Sequence, residues 1–329
     1  MATRLPLLHR LSVYGFATLL GAIASAQQAP PPAAPAGPDT PGTGPYPAMK
    51  EEVASLPQHV VYRPANVAAM GKQKLGVVAW GNGGCSDDGA STRFHLLELA
   101  SHGYLVIASG KILSGPGAPP RPPAAPRPPA PAAAAPGQPP AAPAQLPPPK
   151  TSTAQLNEAI DWALKENGRS DSPYHGRIDP KQIAVSGFSC GGLQAITAAK
   201  DPRVSAVVLQ NTGVFDTPSP ITGMDVSKDA LKAFHTPVLY ILGGTTDIAY
   251  KNGMDDFKRI EHVPVAVANI QTGHGGTYFQ PNGGAAASVA VSWLQWQLRG
   301  DKAAKARFVG KDCGLCKDPQ WTLEKKKIP

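Results

Sequence analysis

Short apolar runs alternate with amphipathic segments along most of this chain, and this alternation limits the possible folds more than any other feature. Runs rich in Val, Ile, Leu and Ala predict buried strands at residues 75–80, 104–109, 182–186, 206–210, 238–242 and 265–270, and a further strand at 59–63. Helical spacing of apolar residues predicts helices at 91–102, 154–166, 191–200, 254–260 and 285–298. Continuous apolar strands separated by helices are typical of a mostly parallel sheet covered on both faces. We therefore expect an α/β, doubly wound architecture.

Two Pro-rich tracts interrupt this pattern. Of the 37 prolines, eight lie in residues 27–47 and sixteen in residues 115–149. Proline blocks helix and sheet interiors, and these tracts offer few large apolar side chains to bury. We expect a disordered linker at 27–54 and a disordered Pro/Ala-rich insertion at 115–149, within one domain at 55–329. Two domains joined by a hinge are the alternative.

The chain begins with the pattern of a secretory leader. Arg4 and Arg10 precede an apolar stretch at 11–23, which is followed by Ala24-Ser25-Ala26. This pattern predicts a signal peptide at 1–26 that is cleaved after Ala26, and hence a secreted or periplasmic protein. The alternative is an N-terminal anchor helix. No later segment reaches membrane length, so we expect no stable membrane insertion.

Charge and cysteine content limit the partners. The formal net charge is +8, and residues 300–329 form a basic C-terminal extension. No nucleic-acid motif accompanies this charge, so we expect a solvated face and no nucleic-acid partner; contact with an anionic surface is the alternative. The four cysteines, behind a leader, favour disulfides with three possible pairings. The Cys313-x-x-Cys316 pair lacks the context of a redox dithiol or a zinc site, and we expect a disulfide there.

The strongest chemical signal is Gly187-Phe188-Ser189-Cys190-Gly191, between the strand at 182–186 and the helix at 191–200. In a Gly-x-Ser-x-Gly elbow the serine sits on a tight strand-to-helix turn, and the glycines leave room for neighbouring backbone. The helix N-terminus behind such a serine favours an oxyanion in front of it. Ser189 is therefore the predicted nucleophile, and a tight turn with an idle serine is the alternative.

A serine nucleophile needs a base and an acid that orients the base. His274 lies on a Gly-rich loop directly after the strand at 265–270, at the edge where parallel-sheet sites form. Asp247 follows the strand at 238–242, and Asp216 is the alternative acid. The order Ser189, Asp247, His274 is the order of nucleophile, acid and base expected on such a sheet. We expect Asp255 and Asp256 to face solvent on a helix.

The oxyanion requires two backbone donors. The residue after the nucleophile, Cys190, supplies one, and the loop after the strand at 75–80 supplies the other, from Asn82 or alternatively Gly83. If these assignments hold, Cys85 and Cys190 flank the same small hole. We expect a Cys85–Cys190 disulfide, with two separately buried thiols as the alternative.

These motifs resemble the α/β-hydrolase superfamily. The segments WGNGGC, GFSCGGLQA, GGTTDIAY and GHGGTY, together with the terminal CGLCKDPQW, are similar to secreted proteins grouped near dienelactone hydrolases, chlorophyllases and cutinase-like polyester hydrolases. The resemblance covers about residues 55–321 and implies an α/β-hydrolase fold and serine esterase activity. Dienelactone hydrolases use a cysteine nucleophile, and this chain has Ser189 there, so that substrate is not carried over.

The sequence as a whole predicts a secreted serine hydrolase, a monomer that cleaves carboxylic esters, small or polymeric, through an acyl-enzyme without metal or cofactor. Residues 212–234 are a candidate cap, and the predicted substrate pocket consists of Trp80, Phe188, Phe215 and Met224, with ordinary packing as the alternative for the residues of the cap. An amidase or peptidase of the same fold is one alternative. The other is a non-catalytic cell-envelope binding protein on a hydrolase scaffold.

Overall fold

The apolar runs form the parallel centre of a nine-stranded sheet in the part of the chain that the structure describes. This structure is a computed structural model that describes Met1 and residues 37–120 and 148–329. The strands are β1 (Ala48–Glu52), β2 (His59–Pro64), β3 (Leu75–Gly81), β4 (Tyr104–Ser109), β5 (Ile178–Phe188), β6 (Ala206–Gln210), β7 (Val238–Leu242), β8 (Val265–Ile270) and β9 (Trp321–Lys326). Their order is β1-β2-β4-β3-β5-β6-β7-β8-β9. The six strands from β4 to β8 are parallel, and the strands outside them pair antiparallel.

Helices cover both faces of this sheet, as the strand composition predicts. They are α1 (Arg93–Ser101), α2 (Thr153–Gly168), α3 (Cys190–Ala198), α4 (Tyr250–Arg259), α5 (Gly284–Arg299), α6 (Lys302–Lys305) and α7 (Gly314–Lys317). Apolar side chains of α2, α3 and α4 share one core with one face of the sheet, and those of α1 and α5 share the other core. The α/β-hydrolase architecture is confirmed.

The local signals explain where the helix α2 begins. Ser152 is its N-cap, and the Ser152 backbone N–H donates to Gln155 Oε1 at 2.9 Å as part of a capping box. The side chains of Leu156, Ile160 and Ala163 lie on the face of α2 that packs against the sheet, and all three are buried. The cap and the apolar spacing therefore agree on one helix directly after the second Pro-rich tract.

The predicted linker at 27–54 is wrong over residues 37–54, which pack on the domain. Strand β1 lies in this segment, and Arg93 in α1 donates to Asp39 Oδ1 at 2.8 Å. The Thr43 backbone N–H donates to buried Glu98 at 2.8 Å. Proline content predicted disorder here, but the segment supplies the polar partners that the buried charges of α1 require.

The basic C-terminal extension also belongs to the domain. Strand β9 pairs with β8 over six residues, from Val265 opposite Lys326 to Ile270 opposite Trp321. Phe308 and Leu315 are buried in the core beneath α5. The predicted Cys313–Cys316 disulfide is present in this segment. The extension thus closes one edge of the sheet.

Two sequence predictions fall wholly or mainly outside the described residues. The signal peptide at 1–26 does so apart from Met1. The insertion at 115–149 is described only at 115–120 and 148–149. Within the described ranges, no helix is both long and apolar enough to span a bilayer.

Candidate active site

Ser189 lies on a strained turn between β5 and α3. Its backbone has φ 54° and ψ −121°, a conformation that a residue with a Cβ rarely adopts. The Ser189 N–H donates to the Gln210 carbonyl at 2.9 Å, and the Thr212 hydroxyl donates to the Ser189 carbonyl at 2.8 Å. The turn is therefore fixed by the last residue of β6 and by the second residue beyond the end of that strand. Backbone strain that neighbouring contacts hold in place is a feature of functional sites.

The structure brings the predicted nucleophile, base and acid together. Ser189 Oγ lies 2.9 Å from His274 Nε2, and His274 Nδ1 lies 2.6 Å from Asp247 Oδ1. The three residues lie on three different loops, which follow strands β5, β7 and β8. The His274 side chain is 25 % exposed and that of Asp247 is fully buried. The hydrogen-bonded series therefore runs from a buried carboxylate to the protein surface.

Asp247 is held as a carboxylate by the groups around it. Besides His274, its oxygens accept from Ala249 N at 2.9 Å, Gly243 N at 3.0 Å and Asn211 Nδ2 at 2.8 Å. Burial alone would raise the pKa of Asp247, but the hydrogen bonds from His274 and from the backbone outweigh burial and lower it. A buried negative charge next to Nδ1 favours the tautomer in which Nε2 faces Ser189 as an acceptor.

The loops that carry Asp247 and His274 touch through their backbones. The Gly273 N–H donates to the Gly243 carbonyl at 2.7 Å. A Cβ on Gly243 would lie 1.9 Å from the Gly273 carbonyl oxygen, so only glycine permits this approach. The two loops therefore have a fixed spacing.

The loop after β3 lies against the first turn of α3. A Cβ on Gly191 would lie 2.1 Å from the Gly81 carbonyl carbon and 2.5 Å from the Asn82 amide nitrogen. Cys190 is the first residue of α3, where a backbone N–H has no partner within the helix. The Asn82 side chain donates to the carbonyls of Ser86 and Ser109, at 2.9 and 2.6 Å, and so fixes this loop. The amides of Asn82 and Cys190 thus lie on neighbouring backbone beside Ser189, and Gly83 comes next along the loop.

A disulfide joins the same two segments. Cys85 and Cys190 are bonded, with their Cα atoms 5.2 Å apart, as the sequence predicts, and both are buried. Disulfides are typical of proteins that fold in oxidising compartments outside the cytosol. The Cys85 carbonyl also accepts from the amides of Lys150 and Thr151, at 2.9 and 3.1 Å. This cysteine therefore anchors three segments of the chain.

The alternative acid, Asp216, does not contact His274. Its carboxylate is paired with Lys228 at 3.7 Å and Arg259 at 3.5 Å, and its side chain is 47 % exposed.

The expectation that Asp256 faces solvent is wrong. Asp256 is fully buried and accepts from the Val214 N–H at 2.8 Å and from Lys228 Nζ at 2.7 Å. Burial raises the pKa of Asp256 to about 6. This residue lies on the side of α4 that faces residues 212–234, and it fixes that segment to the helix.

The predicted pocket residues lie in different surroundings. The Phe188 ring lies 5.4 Å from the His274 ring, between centroids. Trp80 is fully buried in the core under α1 and α5, so it is not a pocket residue; alternation along β3 turns its side chain away from the face that carries α3.

Residues of the candidate cap line a cavity of about 440 Å³, which is formed by 215–219 and 225–229. Its lining includes Phe215 but neither Ser189 nor His274, and Met224 is buried in the core on the α3 side of the sheet. A pocket role for Phe215 and Met224 stays a prediction.

Sequence reasoning missed two polar residues behind Asp247, namely Asn211 and Tyr278. Asn211 directly follows β6 at the carboxyl edge of the sheet, and this position was a signal that could have identified it. Tyr278 carries no such signal. In residues 37–120 and 148–329, no group of three or more His, Cys, Asp or Glu side chains is placed to hold a metal ion.

The fold and this site define an α/β-hydrolase. A family model described as PETase, PET hydrolase-like, matches residues 142–308, about half of the chain. The chain therefore belongs to the PET hydrolase-like family and is a hydrolase of the type that acts on esters. A comparison with curated proteins finds no match.

Proposed function

We propose that this protein is a secreted serine esterase in which Ser189, His274 and Asp247 form the catalytic triad. The observation that carries the proposal is the unbroken series of contacts from Ser189 Oγ to His274 Nε2 and from His274 Nδ1 to Asp247 Oδ1, at 2.9 and 2.6 Å. His274 Nε2 takes the Ser189 proton as Oγ attacks the ester carbonyl carbon, and then donates it to the leaving alcohol. Water, deprotonated by the same nitrogen, then attacks the acyl carbon, the bond to Ser189 Oγ breaks, and the proton passes from Nε2 to Oγ as the carboxylic acid leaves. Asp247 stabilises the imidazolium in both steps.

The negative charge on the tetrahedral intermediate needs donors beside Ser189. The backbone amides of Cys190 and Asn82 are the proposed pair, with Gly83 as the alternative to Asn82. The N-terminus of α3 adds a partial positive charge at the same place. Such fixed donors contribute about 100- to 1000-fold each to the rate of acyl transfer.

We propose a polyester as the substrate class, which includes the aromatic polyester in the family's description. A polymer needs a site that is open to the surface, and Ser189 and His274 are both partly exposed. Beside them, Ile248 directly follows Asp247 and is 55 % exposed, and Phe188 packs near the His274 ring. An exposed aliphatic side chain at the rim offers contact to an apolar chain.

Substitution of the three residues tests the chemistry. Ser189→Ala and His274→Ala are expected to lower kcat on a p-nitrophenyl ester on the order of 10⁶-fold, and Asp247→Asn on the order of 10⁴-fold. Asp216→Asn is the matched control and is expected to leave kcat unchanged, because Asp216 pairs with Lys228 and Arg259. Wild-type activity in Asp247→Asn together with a large loss in Asp216→Asn would contradict the choice of acid.

Two further measurements separate this proposal from its alternatives. A fluorophosphonate probe is expected to label the wild type and not Ser189→Ala, whereas a non-catalytic binding protein would not be labelled. With the wild type, release of soluble aromatic acid from polyester film is expected, and cleavage of a p-nitroanilide instead would indicate an amidase.

Because protonated Nε2 cannot accept the Ser189 proton, kcat/KM is expected to fall as pH is lowered. A profile that is flat from about pH 5 to 9 would argue against a histidine base.

We also propose that the protein is exported, with cleavage of the leader behind Ala26. Support comes from the leader pattern of the sequence and from the two disulfides, which an oxidising compartment maintains. N-terminal sequencing of the exported protein is expected to begin at Gln27. An intact Met1 in the exported protein would indicate an anchor helix instead.

A further inference from the structure

Asn211 occupies an unusual position at the end of β6. It is buried and has φ 45°, in the left-handed region. This conformation is unfavourable for a residue with a Cβ, although asparagine tolerates it better than most residues. Its backbone N–H donates to the Ile241 carbonyl at 2.8 Å, which ties the strained residue to β7. The side chain is thereby directed at the loops beyond β7 and β8.

The amide group of Asn211 contacts both of these loops. Its Nδ2 donates to Asp247 Oδ2 at 2.8 Å and to the Gly273 carbonyl at 3.1 Å. A carboxylate and a backbone carbonyl are both acceptors only, so the nitrogen of the amide must face them. The remaining oxygen, Oδ1, accepts a hydrogen bond from the Tyr278 hydroxyl.

Tyr278 is suited to hold this amide in one orientation. Its side chain is fully buried, and burial together with the nearby Asp247 charge raises the pKa of Tyr278 well above its usual value. The hydroxyl therefore stays neutral and remains a donor. The Tyr278 ring packs against the Phe188 ring, with the ring centroids 4.7 Å apart.

We infer that Asn211 is a positioning residue, oriented by Tyr278, that holds the Asp247 carboxylate and the backbone next to His274 at a fixed separation. This inference rests on the proposed function, since it assigns Asn211 a role through the triad acid. The two N–H groups of one rigid amide bind the carboxylate and the carbonyl of the residue before His274. A shift of either loop would break one of these bonds. The distance between His274 Nδ1 and Asp247 Oδ1 therefore depends on this side chain in addition to the Gly243–Gly273 backbone contact.

The test replaces Asn211 without changing its shape. Asn211→Asp puts an acceptor where Nδ2 donates, opposite Asp247 Oδ2 and the Gly273 carbonyl. We expect kcat on a p-nitrophenyl ester to fall on the order of 100-fold at pH 8, with KM within about 2-fold, because misplacement of the acid slows the chemical step. Tyr278→Phe frees the amide to rotate and is expected to lower kcat by about 5- to 10-fold.

Asn269→Asp is the matched control for a new carboxyl at the carboxyl edge of the sheet. Asn269 Oδ1 accepts from the Gly244 N–H at 2.8 Å, and an aspartate can still accept there. We expect kcat within about 3-fold of wild type for this variant. A loss equal to that of Asn211→Asp would attribute the effect to charge in general and overturn the inference.

A double-mutant cycle separates this inference from the proposed function. If Asn211 acts through Asp247, Asn211→Asp is expected to cost less than about 3-fold when Asp247→Asn is already present. An unchanged 100-fold cost in that background would overturn the inference while leaving the triad intact. A harmless Asp247→Asn would instead overturn the proposed function. If a thermal melt shows that Asn211→Asp does not fold, Tyr278→Phe, which keeps the buried ring, takes its place in the cycle. An equal loss of kcat from Tyr278→Phe in the wild type and in Asp247→Asn would again overturn the inference.

Discussion

The Cys85–Cys190 disulfide gives the sharpest test of how the site is held together. The bridge closes a loop of 105 residues, and the chain-entropy relation for a loop of that size gives about 4.7 kcal/mol of stabilisation. A domain of this size loses about 2 °C in Tm for each kcal/mol, so Cys85→Ala is expected to lower Tm by roughly 9 °C. Alanine is the better replacement, because a serine hydroxyl would be buried at this site without an assured partner.

The same change is expected to lower activity. Cys190→Ala and Cys85→Ala keep the Cys190 amide but release the loop that carries Asn82. The proposed oxyanion donors then lose their fixed spacing, and we expect kcat to fall by about tenfold, less than the ~100-fold loss that removal of a donor causes. Ester hydrolysis per active site, counted by fluorophosphonate labelling, measures this effect apart from unfolding.

The double variant and the second disulfide supply the controls. Cys85→Ala and Cys190→Ala delete the same bond, so the double change is expected to be little worse than either single change. Cys316→Ala breaks a bridge that spans three residues and is expected to cost about 2 kcal/mol or less, with kcat unchanged. A double variant that loses the sum of the two single losses, or a 9 °C drop without any change in kcat, would refute the reasoning.

Three further perturbations test the packing around the site. Gly191→Ala places a Cβ 2.1 Å from the Gly81 backbone and is expected to lower the free energy of unfolding by at least about 2 kcal/mol, as measured by urea titration. The control is Gly168→Ala, whose Cβ would have nothing within 4 Å and which is expected to leave that free energy unchanged. Equal effects of the two variants would contradict the clash. Lys228→Met removes a partner of buried Asp256, whose raised pKa of about 6 keeps it protonated in the folded state at pH 5 but not at pH 8. The loss in the free energy of unfolding is therefore expected to reach about 3 to 5 kcal/mol at pH 8 and to be smaller at pH 5. Lys232 is exposed, so Lys232→Met is expected to leave this free energy unchanged. A loss that does not depend on pH would contradict the coupling between Lys228 and Asp256. Replacement of residues 121–147 by a Gly/Ser linker is expected to leave Tm and kcat unchanged. The tract offers few large apolar groups, and the entropy of loop closure depends only weakly on loop length. An unfolded variant would show that the tract has a structural role.

Most strands that are buried on both faces could be predicted from the sequence to within a residue, whereas β5 (Ile178–Phe188) extends beyond the predicted 182–186 at both ends. Strands β4, β6, β7 and β8 begin and end at the predicted residues, because nearly every position in a strand that is covered on both faces is apolar. Edge strands β1 and β9 were missed. Each has one neighbour only, and their charged side chains, such as Lys50 and Lys325, make the sequence resemble a solvated tail.

The same distinction applies to the site. Ser189, Asp247 and His274 could be located because each directly follows, or closely follows, a predicted strand, and the parallel sheet brings such positions to one edge. Asn211 and Tyr278 meet across 67 positions of sequence, and no local pattern records that contact. Asp256 was placed in solvent because its partner Lys228 lies on a different segment, and burial of a charge depends on that partner.

Two independent contacts hold the loop after β3 against the elbow, and they act on different physical terms. The approach of Gly81 to Gly191 depends on the absence of a Cβ, which permits close backbone packing in the folded state. The Cys85–Cys190 bond acts mainly by limiting the unfolded chain, and in the folded state it limits how far the loop can move away from Ser189. Neither contact involves Ser189, His274 or Asp247. The position of the loop that carries Asn82 and the separation of Asp247 from His274 are therefore set by different contacts, the latter by Asn211 and the Gly243–Gly273 approach. We expect that either can be altered while the other stays intact.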